Sequence, residues 1–227
     1  MSNSVTFGST NLSTYGLVLP SYEIPAPEPY LYLEEVAGRN GLVDLSNAFG
    51  SVRYKNRDWL LEFKNPDPTV NWHTLSTNVM TLLHGKRLDF VFDDDPNFVW
   101  NGRISVQHLI SDHGEITLPI AISSDPYKLK SADTVVTETI TGSGTVTLTN
   151  LNKEVVPVIT TTRAMVLSFE IDGTTYTATV DGTATVPQLV LKEGNTVVTV
   201  NAGGVLDDDE YIGFTGTITF TYREGTL

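Results

Sequence analysis

The residues with chemistry to offer are two runs of carboxylates and four histidines. Asp93-Asp94-Asp95 and Asp207-Asp208-Asp209-Glu210 could present oxygen ligands to Ca²⁺. Neither run has the alternate-residue spacing and closing bidentate glutamate of an EF-hand loop. Consecutive acids in a hairpin turn read more ordinarily as a solvated tip. His73 and His84 lie eleven residues apart on a helical stretch, about 16 Å along its axis, too far to share a metal. His108 and His113 flank a turn with no acidic or thiolate framework. There are no cysteines, which removes disulfides, thiolate metal sites and a thiol nucleophile. Gly142-Ser143-Gly144 leads into a strand and not a helix, so it carries no nucleotide signal. Among 27 acidic residues nothing selects the spaced pair that a glycosidase needs. Tyr211 and Phe214 flank a loop and could stack on a sugar ring, against the plainer reading as core aromatics of a sandwich. The expectation is no catalytic residue, no metal site and no cofactor.

The elements that would position side chains centre on residues 67–104. Asp67 can cap a helix, with Pro68 at its first position, where the missing N–H costs nothing. Trp72, Leu75, Val79, Leu82 and Leu83 recur at helical spacing and form one apolar face. Gly85 is placed to stop the helix in a left-handed turn, followed by Lys86 and Arg87 at the negative end of the dipole. A β-hairpin follows, with Leu88, Phe90 and Phe92 leading to the acidic turn and Phe98, Trp100 and Ile104 returning. A lone helix of this kind covers one side of a sheet. Trp72, Leu75, Val79 and Leu82 are therefore the expected docking residues, Gly85 the helix stop and Gly102 a point of close strand packing.

The chain has 227 residues, enough for one large or two small domains, and is 40% hydrophobic. No apolar run approaches about 18 residues, so no membrane span is expected. Met-Ser-Asn-Ser-Val-Thr lacks the basic and apolar regions of a signal peptide. The net charge of −13 repels nucleic acid, and the basic residues do not cluster into a patch. All three tryptophans, all four histidines and ten of fourteen basic residues lie at or before residue 130; beyond it Thr, Val and Gly dominate. The expected domains are 1–130 and 131–227.

In the first domain, strands are expected within 4–20 and over 30–36, and over Leu42–Leu45. The segment 49–54 should pair with 59–63, and a second hairpin should cross 111–114. Pro20, Pro25, Pro27 and Pro29 mark an extended arm, because proline is excluded from a central ladder. In the second domain about eight short strands, with an Asp172-Gly173 hairpin turn, read as a β-sandwich. The fold class is mainly β: an N-terminal β domain with one α-helix and a long hairpin, then a C-terminal jelly-roll sandwich.

These residues together resemble the siphophage distal tail protein family. The resemblance rests on Val36-x-Gly38-Arg39-Asn40-Gly41-x-Val43-Asp44-Leu45, Tyr54-Lys55-Asn56-Arg57, Leu82-Leu83-His84-Gly85-Lys86, Trp100-Asn101-Gly102-Arg103 and Asp125-Pro126-Tyr127, in that order. Leu148-Thr149-Asn150, Val156-Pro157-Val158-Ile159 and Tyr222-Arg223 resemble that family's galectin-like C-terminal domain. The resemblance implies a structural virion protein at the tail tip or baseplate, assembled in the host cytoplasm. Its N-terminal domains would form a hexameric ring and its C-terminal domains project outward. Its partners would be other copies of itself, the tail-tube protein, the tail-associated hub protein and receptor-binding proteins that it can anchor. DNA would pass through the lumen without specific binding, and an acidic lumen would keep it from sticking.

Three other readings stand beside this one. A tail-tube subunit with an appended sandwich would stack its rings into a long tube. A carbohydrate-binding module would act through the second domain alone. An enzyme using two carboxylates is the least supported.

Overall fold

The computed structural model describes residues 4–48, 50–112, 115–207 and 210–227. Residues up to Lys128 form one compact unit and Leu129–Thr226 a second.

The first unit is a sheet with one helix. Its strands are β1 (Val5–Phe7), β2 (Thr10–Asn11), β3 (Leu33–Glu35), β4 (Leu42–Asp44), β5 (Arg57–Lys64), β6 (Arg87–Phe92), β7 (Phe98–Val106), β8 (Ile110–Asp112) and β9 (Glu115–Ser124); helix α1 is Trp72–Leu83. The main sheet runs β2-β1-β6-β7-β9-β5, and β8 also pairs with β9. β3 and β4 make a separate two-stranded hairpin. Burial along β5 alternates strictly, with Arg57, Trp59, Leu61 and Phe63 inward and Asp58, Leu60 and Glu62 outward, as a half-buried strand requires. The core is aromatic. Trp59 and Trp100 meet edge to face at 4.9 Å, Trp59 meets Phe90 in the same way at 5.8 Å, and Phe7 lies 5.8 Å from Phe90.

Several expected elements differ. The helix begins at Trp72 with Asn71 as its cap, whose side chain accepts from the Thr74 N–H. Asp67 instead closes a turn of its own, accepting from the N–H and hydroxyl of Thr69 at 2.8 and 2.7 Å. That local alternative is the competition with helix that makes aspartate a turn residue. Residues after β2 form a short 3-10 helix, Leu12–Tyr15, and Leu17 and Leu19 pack in the core without a continuous strand. β5 pairs with β9 and not with 49–54, where Tyr54 makes one isolated bridge to Pro29 and Phe49 lies outside the described residues.

The second unit is two four-stranded antiparallel sheets. Strands β10 (Lys128–Lys130), β11 (Thr134–Thr141), β12 (Ser143–Asn150), β13 (Val158–Thr161), β14 (Met165–Ile171) and β15 (Thr174–Val180) are followed by β16 (Thr183–Thr185), β17 (Gly194–Asn201), β18 (Gly204–Asp207), β19 (Glu210–Gly213), β20 (Thr215–Tyr222) and β21 (Gly225–Thr226). The sheets are ordered β11-β20-β13-β16 and β12-β17-β14-β15, with β18-β19 a separate ribbon. Ile140, Leu148, Ile159, Leu167, Phe169, Val200, Ile218 and Phe220 fill the space between them. At the β14–β15 turn, Asp172 and Gly173 have φ of 51° and 76°, the left-handed pair that a two-residue hairpin turn needs. The expected strand over 188–191 is absent: Leu189 and Leu191 are buried, and Leu191 bridges to Val155. Outer faces carry threonine ladders, with hydroxyl pairs Thr137–Thr219 at 3.0 Å and Thr160–Thr183 at 3.1 Å.

Candidate assembly interface

The residues with catalytic potential do not converge. His73, His84 and His108 are exposed at separate places, and His113 lies outside the described residues. Among the described residues no group of three His, Asp or Glu side chains could hold a metal. The first acidic run is engaged within its own unit. The Asn11 amide donates to Asp93 at 3.0 Å, the Tyr22 hydroxyl to Asp94 at 2.9 Å, and Lys128 to Asp95 at 2.7 Å. The second run is interrupted by Asp208 and Asp209, outside the described residues. The Arg163 guanidinium lies over one face of the Phe214 ring at 4.1 Å.

The six architectural residues fall around the first core. Leu75 and Val79 are buried, together with Leu83. Trp72 and Leu82 are half-buried and pack at the edge of the same cluster. Trp72 is thus not the buried anchor that its size suggests, because the helix starts at that residue and exposes part of its first turn. Gly85 has φ +75° and sends its N–H to the Ile104 carbonyl at 2.8 Å. A methyl added at Gly102 would lie 2.7 Å from Ile122 Cγ2 and 3.0 Å from Ser123 O and Ser124 Cα.

What the fold does present is unpartnered surface on residues 20–45. Tyr30, Leu31, Tyr32, Leu33, Val36 and Leu42 are each 45–60% exposed. They sit on or beside the β3–β4 hairpin, which pairs with no other strand among the described residues. The preceding arm is tied down at discrete points. Val18 and Lys64 exchange both backbone bonds at 2.8 and 2.9 Å; farther along, the Lys55 N–H donates to Glu28 O at 2.7 Å and the Tyr30 N–H to Arg53 O at 2.8 Å. Between these, Tyr22 stacks on Phe92 at 4.3 Å. Burial, with Asp94 beside it, pushes the Tyr22 hydroxyl up to about 12.

Arg57 is a clasp that the sequence did not flag. It is 4% exposed. Its Nε donates to Pro126 O and its Nη1 to Pro25 O, both at 2.8 Å, and the guanidinium lies 4.8 Å over the Trp100 ring. One side chain thus holds the arm and the end of the first unit together. Burial pulls its pKa down from the ordinary arginine value.

Against solved structures, the chain resembles the SPP1 Dit (gp 19.1) protein, a paradigm of the hub adsorption apparatus in Gram-positive infecting phages. The TM-score is 0.63 at 15% identity, over 98% of this chain and 99% of that one. A chain of the phage P2 baseplate in its activated, calcium-bound conformation aligns at a TM-score of 0.39 and 8% identity. No protein-family model matches the sequence, and no curated protein sequence matches it. The fold is that of SPP1 Dit. It extends across both units, since the match to SPP1 Dit runs nearly end to end.

Proposed function

We propose that this chain is a structural protein of a phage tail tip. Six copies form a ring through their first units. The ring joins the tail tube to the tail hub and offers the second units as outward anchors for receptor-binding proteins. The observation that carries this reading is the apolar β3–β4 hairpin. A lone two-stranded hairpin is marginal in water, and contiguous apolar exposure of this kind marks a contact surface. Here it sits on a fold shared with a phage hub protein. A head-to-tail ring needs two different complementary surfaces on one subunit, and an apolar arm displayed away from the main sheet supplies one of them. The net charge of −13 suits a conduit from which DNA must not stick.

The test is the mass of the purified chain by light scattering over a concentration series. A mass of six chains, or of two such rings, is the expected result. A double substitution Leu33→Lys and Leu42→Lys should reduce it to one chain while leaving the unfolding midpoint of the first unit unchanged. A monomer at every concentration, alone and with the neighbouring tail proteins added, overturns the ring.

A further inference from the structure

We propose that the outer edge of β5 is an open strand-addition site for an extended segment of a different protein, one carrying basic side chains on either side of a small apolar residue. Lys64 turns its N–H and C=O toward Val18, away from β9. Backbone groups alternate sides along a strand, so those of Asp58, Leu60 and Glu62 point to that same outer edge. No hydrogen bond to them occurs among the described residues on that side. The arm could have covered this edge and does not. Among the described residues its backbone-to-backbone bonds to this stretch are at Val18 and again from Glu28 onward. Pro20, Pro25 and Pro27 cannot donate to a ladder, and the arm's middle is held by side chains instead, Tyr22 on Phe92 and the Arg57 guanidinium on Pro25 O, which leave the backbone of Asp58, Leu60 and Glu62 unpaired on that side.

The result is a groove of about 800 Å³ between arm and strand. Its apolar floor is Leu60, 59% exposed, with Ile24, 57% exposed, on the arm side. Its charged lining is Glu23, Asp58 and Glu62 against Lys64, three carboxylates to one ammonium. An added strand would gain ladder bonds from the three residues and place alternate side chains over Asp58, Leu60 and Glu62. Charge selects lysine or arginine opposite the two acids and a small apolar residue opposite Leu60. The chain's own hairpin segment, residues 30–45, carries Glu34, Glu35 and Asp44 against Arg39. A second copy's arm would therefore set like charges against like, which makes a different protein the better occupant.

The probe is the capped peptide Thr-Lys-Thr-Val-Thr-Lys-Thr, titrated into the full-length protein while amide exchange is followed by NMR. At about four times the Kd, exchange at Asp58, Leu60 and Glu62 should slow by about fivefold. A peptide with glutamate for both lysines, or with alternate amides N-methylated, should lose this protection. In the variant D58K/E62K the preference should reverse toward the glutamate peptide. The absence of saturable binding overturns the proposal, as does binding that leaves the three amides unchanged or ignores N-methylation. Protection that rises with protein concentration before peptide is added would assign the edge to a second copy, and would also overturn it. The mass measurement that tests the ring is read separately, so either idea can fail alone.

Discussion

The indole N–H of Trp59 donates to the Ser124 hydroxyl at 2.8 Å, across 65 residues of sequence and in the interior of the first unit. Both residues are all but inaccessible to solvent. The bond ties the start of β5 to the end of β9, where the two strands pair, and the Ser124 hydroxyl in turn donates to Asp125 O at 3.1 Å. Replacing Ser124 by Ala leaves a buried indole donor unpaired. The expected cost is about 1–3 kcal/mol, read as a lower denaturant midpoint with an unchanged slope. A midpoint equal to that of the parent protein would mean that the indole finds another acceptor.

The helix face gives a graded series. Leu83 is fully buried, and Leu83→Ala should cost about 2–5 kcal/mol. Trp72→Ala should cost less than the ~3–5 kcal/mol of a buried tryptophan, because Trp72 is half-buried. Thermal unfolding of the two variants side by side settles the order.

Gly102 sits where β7 meets β9, and a methyl there collides with Ile122 and with backbone at Ser123 and Ser124. Backbone cannot yield as a flexible side chain can. Gly102→Ala should therefore destabilise by about 1–3 kcal/mol. Gly85→Ala acts differently: open space surrounds its Cβ position, and the penalty is the left-handed φ, about 1–2 kcal/mol. Calorimetry distinguishes a clash from a strained dihedral through Ile122→Ala, which removes the Cγ2 methyl: in that background the cost of Gly102→Ala should shrink and that of Gly85→Ala should not.

Tyr22 carries a pH dependence with a definite sign. Its hydroxyl titrates at about 12 in the folded chain against 10.0 for the free side chain. Below pH 10 both states hold the proton and the contribution is constant. Between about 10 and 12 the unfolded chain loses it first, so stability falls as pH rises. Burial raises Tyr222 as well, so the readout is a difference. The parent protein should lose more stability over that window than Tyr22→Phe does, and its tyrosinate absorbance should rise on unfolding by one tyrosine more than the variant's. Parallel pH profiles for the two proteins would show that Tyr22 titrates normally.

The sequence marked those features that depend on neighbouring residues. The alternation of Leu88, Phe90 and Phe92 against Phe98 and Trp100 gave the β6–β7 hairpin, since its turn is short and its apolar face has period two. Asp172-Gly173 gave the β14–β15 turn because few residues tolerate positive φ. The helix was legible from its apolar period, but its start was not. Asp67 with Pro68 reads as the first turn, yet the side chain that meets the helix N–H groups is that of Asn71, set by where Leu75 and Val79 must dock.

Partner choice over long separations belonged to the tertiary structure. Nothing local tells β5 to take β9, beginning with Arg57 opposite Ser124, in preference to the adjacent 49–54 segment. The choice follows from burying Trp59 against Trp100 and Phe90, which only assembly of the whole sheet makes possible. Arg57 reads in sequence as a turn-side cation, and becomes a buried clasp only because Pro25 and Pro126 converge on it from both ends of the unit. By itself, then, the sequence determined a mainly β chain with one amphipathic helix, acidic and without thiols, because composition, periodicity and turn chemistry act over a few residues. The tertiary structure decided which edge of β5 stays open and which apolar arm stays uncovered, because unpaired backbone and unburied surface exist only once every other pairing has been made.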